Sequence, residues 1–237
     1  MELEMNDVKG LKQGDRSCFE NIFNEYSIHL DHKQKEQTIS FLYELLLNRE
    51  GDIRRQAAAL IGKMFANFNA GYRKEIPADM ADLDDRQART LWEAYMEKLI
   101  CPDYRLTLQQ KRRIQNSLKY VLLSGIEHSD DRVREEMLTI FYRWFDGSHE
   151  LDEDARFALL DAVFSMPAEL CARSGRLDCL AEFAVDNMDH EDDRVRVAAV
   201  RALKVLTSVV TRENACYERV RKAVTEMDTG SITMVFL

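Results

Sequence analysis

Six arginines stand in three close pairs: Arg54 with Arg55, Arg132 with Arg134, and Arg194 with Arg196. A ladder of guanidinium groups can take phosphate or an acidic peptide through charge-assisted, forked hydrogen bonds. Asp52, Asp130, Asp131, Asp192 and Asp193 lie beside the same arginines, so pairing inside the fold is the simpler account. The densest basic run, Lys111-Arg112-Arg113 with Lys119 two turns on, reads as a solvated helix face.

The histidines are His29, His32, His128, His149 and His190. His29-Leu30-Asp31-His32 carries ligand-type side chains, but no second cluster completes a tetrahedral metal site, so it reads as a turn. Trp92 and Trp144 have rings that can stack on a nucleobase. No GxSxG, GxGxxG or GxxxxGK[ST] is present, which leaves no nucleophile elbow and no phosphate loop. Adjacent carboxylates such as Asp152-Glu153-Asp154 are too common here to mark an acid–base pair. Neither a catalytic residue nor a metal or other cofactor is expected.

The elements that carry these residues are legible from composition and period. The chain has 237 residues, 46% of them hydrophobic and 32% charged, with only 9 Gly and 3 Pro. So few turn residues in an apolar-rich chain point to helices, each keeping one wet face. The net charge of −9 disfavours nucleic acid as a partner, because phosphate binding draws on clustered Lys and Arg. Cys18, Cys101, Cys171, Cys179 and Cys216 form no CxxC pair and are odd in number, which reads as a reduced chain with buried thiols. Met1 to Asp15 has no apolar core of a signal peptide, and no apolar run approaches the ~20 residues of a membrane span. The expected location is therefore cytoplasmic.

Three segments share one apolar stripe. Ile53 is followed by Ala57, Leu60, Ile61, Met64, Phe65 and Phe68. Val133 is followed by Met137, Ile140, Phe141, Trp144 and Phe145, and Val195 by Ala199, Ala202, Leu203, Leu206 and Val210. Offsets of 4, 7, 8 and 11 make one face of a helix. Trp144 sits on this stripe, which favours a packing role over base stacking. Each stripe starts beside Asp130-Asp131, Asp192-Asp193 or, more loosely, Gly51-Asp52, where an aspartate can cap the first turn. A helix precedes each stripe: Lys33 to Leu47, Leu106 to Ile126, and Arg176 to Met188. Asp85 to Ile100 and Glu153 to Phe164 supply further helices, and residues 70 to 82 form the longest candidate break.

The run of Asp, any residue, Val, Arg, then Ala and Leu resembles the second helix of HEAT repeats. It is clearest at Asp193 to Leu203, then at Asp131 to Phe141, then at Gly51 to Ile61. The resemblance implies an all-α, HEAT-like α–α superhelix of about ten helices in five antiparallel pairs, in a single domain over 1–230. It also implies that Arg54, Asp131, Arg134, Asp193 and Arg196 are structural, capping helices and linking neighbouring repeats. The apolar tail 231–237 departs from the pattern and suggests the start of a further region in a longer native chain.

The function this implies is a protein–protein interaction scaffold, one form of which is a regulatory part of a larger signalling or hydrolytic protein. Its candidate partner-binding surface is the set of polar positions on the striped helices: Arg55, Gln56, Lys63, Glu135, Glu136, Arg143, Arg201 and Lys204. Two alternatives belong to the same resemblance. A HEAT-like DNA alkylation-repair glycosylase needs a basic groove with an aromatic beside a carboxylate. A HEAT-type metal-dependent hydroxylase uses His-Glu pairs on inner helix faces. Here His149-Glu150 and His190-Glu191 both precede a helix, and the further pairs are missing.

Overall fold

The computed structural model describes residues 10–15, 17–18, 32–75, 92–173 and 175–228. The His29-Leu30-Asp31 turn, Pro77, residues 85–91 and the tail 231–237 lie outside the described residues. Within them every regular element is helical, and the helices pack in pairs. In chain order they are α1 (His32–Leu45), α2 (Gly51–Glu75), a helical stretch at 92–100, α3 (Leu108–Gln115), α4 (Leu118–Ile126) and α5 (Asp131–Tyr142). A 3-10 turn (Arg143–Phe145) extends α5, followed by α6 (Glu153–Ser165), α7 (Ala168–Arg173), α8 (Leu177–Asp186), α9 (Asp193–Leu206) and α10 (Tyr217–Asp228).

The chain divides into two compact units, Met1–Ile140 and Phe141–Leu237. The boundary falls inside α5, so no change of composition marks it. In the first unit α2 packs on α1 and more extensively on α4. Its stripe residues Ile53, Ala57, Leu60, Ile61, Met64 and Phe65 are all buried. Phe65 meets the rings of Trp92 and Tyr95 at 4.7 and 5.5 Å between centroids. The Tyr43 hydroxyl donates to the Lys98 carbonyl, tying α1 to the 92–100 helix.

The expected single helix from Leu106 to Ile126 is two. Thr107 starts α3 with a capping box to Gln110. The Ser117 hydroxyl then donates back to the Arg113 carbonyl at 2.8 Å, a local bond that competes with the helix ladder. The basic run on α3 is not wholly solvated either. Arg113 donates to the Leu47 carbonyl across the unit, at 2.9 Å.

In the second unit α9 packs on α8 and, more extensively, on α6. Val195, Ala199, Ala202, Leu203 and Leu206 are buried, while Val210 lies past the end of α9 and is half-buried. Two helices went unread in the sequence, α7 and α10. The start of α10 is held by Asp178 of α8, whose carboxylate accepts from the Cys216 amide at 3.0 Å. The thiols are less uniform than expected. Cys171 and Cys216 are buried, but Cys101 is exposed.

The tightest packing constraint of the first unit is a close approach of two backbones. Gly62 on α2 faces α4 so closely that an added Cβ would overlap the Val121 carbonyl oxygen and lie 3.0 Å from the Gly125 nitrogen. Neither atom is a flexible side-chain end, so α2 and α4 would have to separate. Gly62→Ala is expected to cost at least about 2 kcal/mol in urea unfolding, although alanine is the better helix former. An unchanged or raised midpoint would refute the close approach.

Candidate functional site

The three arginines of the repeated motif do one job, and it is internal. Arg54 donates to the carbonyls of Asn48 at 2.9 Å and Arg49 at 2.7 Å. Arg134 donates to the His128 carbonyl at 2.6 Å. Arg196 donates to His190 at 2.7 Å and Glu191 at 3.0 Å. Each guanidinium thus reaches back over the first turn to the loop that feeds its own helix. The side chain of the residue it grips also accepts a backbone amide. Asn48 takes that of Glu50, His128 that of Asp130, and His190 that of Asp192.

This brace refines the structural roles expected of Asp131, Asp193 and the arginines. Capping falls to the first aspartate of each pair: Asp130 accepts from the Arg132 amide and Asp192 from the Arg194 amide. Asp131 and Asp193 instead pair with Arg134 and Arg196 of their own helix. The arginines bind the preceding loop. His190 is likewise a loop brace, whose Nδ1 accepts from the Asp192 amide.

A fourth, partial copy starts α6. Asp152 caps the Ala155 amide at 2.7 Å, and Arg156 donates to the Leu151 carbonyl at 3.2 Å. From Ala155 the same offsets give Leu159, Ala162, Val163 and Met166, all buried. Alanine in place of the β-branched residue hid this copy from the sequence search.

The polar positions expected to bind a partner are distributed as follows. Arg55 is exposed and is held by Asp52. Gln56 is half-buried, and Lys63 and Glu135 are exposed. Glu136 is half-buried, and Arg143 is exposed on the 3-10 turn rather than on α5 itself. Arg201 and Lys204 are both exposed on α9.

Only the last two join a distinctive surface. On α6, Phe157 and Phe164 are two turns apart, as are Arg194 and Arg201 on α9. The Arg194 guanidinium lies 5.9 Å from the Phe157 ring and that of Arg201 lies 5.7 Å from the Phe164 ring. First meets first and second meets second, so α6 and α9 run side by side in the same direction. Val197 sits between the arginines on α9. Phe164 and Val197 keep 41% and 42% of their surface in water, more than any other large apolar side chain among the described residues of this unit.

Arg194 is fixed by Asp154 at 2.8 Å and by Asp192 at 2.6 Å. Those contacts raise its pKa and, with the Arg194 amide, hold the Asp192 carboxyl below the usual range. The ridge is therefore a pair of cation-covered phenylalanines with an exposed valine and one further cation, Lys204. Sequence reasoning missed Phe157, Phe164 and Val197. The signal was present: each lies off the buried stripe of its helix, two or nine places from the stripe's first residue.

Trp92 is fully buried, and Trp144 is 9% exposed and stacks on His149 at 4.2 Å. Among the described residues, no group of three or more His, Cys, Asp or Glu side chains is placed to hold a metal ion. No helix among them is long and apolar enough to cross a membrane.

No protein-family model and no curated protein sequence matches the chain. Among solved structures, the crystal structure of an engineered protein aligns with 96% of this chain and 87% of its own, at 12% identity and a TM-score of 0.36. That score is too low for the likeness to bear on fold or function.

Two outcomes follow from the brace. Arg196→Ala is expected to cost about 2 kcal/mol in urea unfolding, the scale of lost hydrogen bonds to a charged group. His190→Asn is expected to be nearly neutral, because Asn48 already does the same work, while His190→Ala loses about 1 kcal/mol. If Asn proves as costly as Ala, the shared role is wrong. The Asp192 carboxyl, held low when folded, contributes stability that is complete above its ordinary value of 3.8 and fades as pH falls through its lowered value. Asp192→Asn should therefore lose stability near neutrality, and its deficit should shrink in acid. A deficit that stays constant with pH would contradict this.

Proposed function

We propose that the chain is a HEAT-like protein-interaction module of the cytoplasm, and that the α6–α9 ridge is its docking surface. The observation that carries this reading is the ridge itself. Isolated exposed apolar residues are ordinary, but Phe164 and Val197 stand on two packed helices, with Arg201 over the Phe164 ring and Lys204 one turn on. Aromatic and arginine side chains held together at a surface are the groups that dominate protein interfaces.

The brace supports the same reading from the other side. Arg54, Arg134 and Arg196 are engaged with loop carbonyls, so the repeated basic motif is not an open phosphate ladder. The two enzyme alternatives find less support. A base-stacking site needs an accessible aromatic face, and both tryptophans are buried. A di-metal site needs His-Glu pairs on helices, and the His190 ring supports a loop amide. The five free cysteines fit a reducing compartment.

The test is recovery of partners from the native source on immobilised wild-type protein and on a Phe164→Ser, Arg201→Glu variant. Both side chains are exposed, so the variant should keep its unfolding midpoint to within about 0.5 kcal/mol of stability. At least one protein should be recovered tenfold less on the variant, a loss of about 1.4 kcal/mol in binding. Equal recovery on both, or no macromolecule on either, would overturn the proposal.

A further inference from the structure

The ridge also carries information about the chemistry of what docks there, and the step taken here rests on the docking role just proposed. Five cations of the second unit are matched by carboxylates within the fold. Arg194 binds Asp154 and Asp192, Arg196 binds Asp193, Arg219 binds Asp186, Arg221 binds Glu218, and Lys222 lies 3.8 Å from Glu226. Arg201 and Lys204 have no carboxylate within ion-pair distance among the described residues. Arg201 lies over the Phe164 ring, and Lys204 follows it one turn later on the same face of α9.

A chain of net charge −9 thus keeps two unmatched cations at one end of its exposed apolar ridge. Water now solvates them. An opposing carboxylate would gain more there than elsewhere on this surface, because Phe164 and Val197 exclude water from one side of the pair. Arg194 and Arg201 each already lie over one face of Phe157 and Phe164, which leaves less bare ring for a nucleobase. Stacking of single-stranded nucleic acid, which needs bare aromatic faces, fits this surface less well.

We infer that the α6–α9 ridge of this chain docks an acidic amphipathic segment of another polypeptide. Its apolar side chains lie on Phe157, Val197 and Phe164, and its carboxylates meet Arg201 and Lys204. The two phenylalanines are two helical turns apart, about 10 Å along the axis. That spacing matches apolar residues at i and i+7 of a docked helix, or at i and i+3 of a polyproline-II segment, which has three residues per turn. The acidic residues follow at the Lys204 end. A basic segment would meet Arg194, Arg201 and Lys204 with like charge.

The experiment is selection of random 12-residue peptides against the full chain, followed by affinity measurement of the recovered peptides. Binding is compared on the wild type, on Phe164→Ser, and on Arg201→Glu with Lys204→Glu. Recovered sequences should be enriched in Asp and Glu beside Leu, Ile or Phe. Their affinity should fall at least tenfold on each variant and weaken between 50 and 200 mM salt, about a twofold narrowing of the Debye length. Lysine-for-glutamate versions of the same peptides should prefer the doubly charge-reversed variant.

Peptides lacking an acidic bias but lost on Phe164→Ser would overturn the acidic partner and leave the docking ridge standing. Peptides indifferent to all the substitutions would overturn both, as would recovery of none. A single-stranded oligonucleotide bound more tightly than the peptides would also overturn the inference. So would a dimer of the chain that dissociates on charge reversal, which would make a second copy the occupant.

Discussion

A helix that begins straight after a short loop leaves two sets of backbone groups without partners. The first amides of the new helix have no carbonyl behind them, and the loop carbonyls point where no amide can follow. One arginine near the start of the helix answers the second need, and an aspartate at its start answers the first. Arg54, Arg134 and Arg196 grip the loop carbonyls, while Asp130 and Asp192 take the free amides. The residue whose carbonyl is gripped turns its own side chain onto the amide two places on. Asn48, His128 and His190 are interchangeable there because each offers one acceptor at the same reach. The loop, the cap and the first turn are in this way locked as one body, which sets the angle at which each striped helix meets its neighbours.

That lock decides what the repeated polar residues of the chain are for. The arginine ladder, the histidines and the aspartates are the residues most suggestive of a phosphate or metal site, and they are largely consumed by backbone groups. What is left for a partner is the next set of positions around the helix. On α6 and α9 these are the places two and nine after the first stripe residue, occupied by Phe157 and Phe164 and by Val197 and Lys204, whereas the ninth places of α2 and α5, Gly62 and Tyr142, are packed inside. Rigid elements present them, so a docked segment would meet a surface that need not reorganise.

The sequence made the striped helices legible because burial of one helical face leaves a period that side-chain identity alone reveals. Ile53, Val133 and Val195 start buried stripes as their spacing implies. Aspartate caps were legible for the same local reason. The break at Asn116-Ser117 was not, because no glycine or proline marks it. The start of α10 was not legible either, since Asp178 reaches it from another helix and no short-range pattern encodes that contact. The stripe of α6 escaped because Ala155 carries no β-branch, and with it went Phe164, which stands out only against a stripe already recognised. The ring-over-cation pairs of the ridge join α6 to α9 and exist only once the two helices lie side by side.

Amide hydrogen exchange in wild type and in an Arg134→Lys, Arg196→Lys double variant tests the brace most directly. Lysine keeps the charge and most of the packing but cannot fork between a loop carbonyl and an aspartate. The account requires faster exchange at the amides of residues 130–134 and 192–196 in the variant, with the interior of α2 unchanged as an internal reference. Equal protection at those amides in the two proteins would contradict it, and would return the arginines to the set of groups free to bind a ligand.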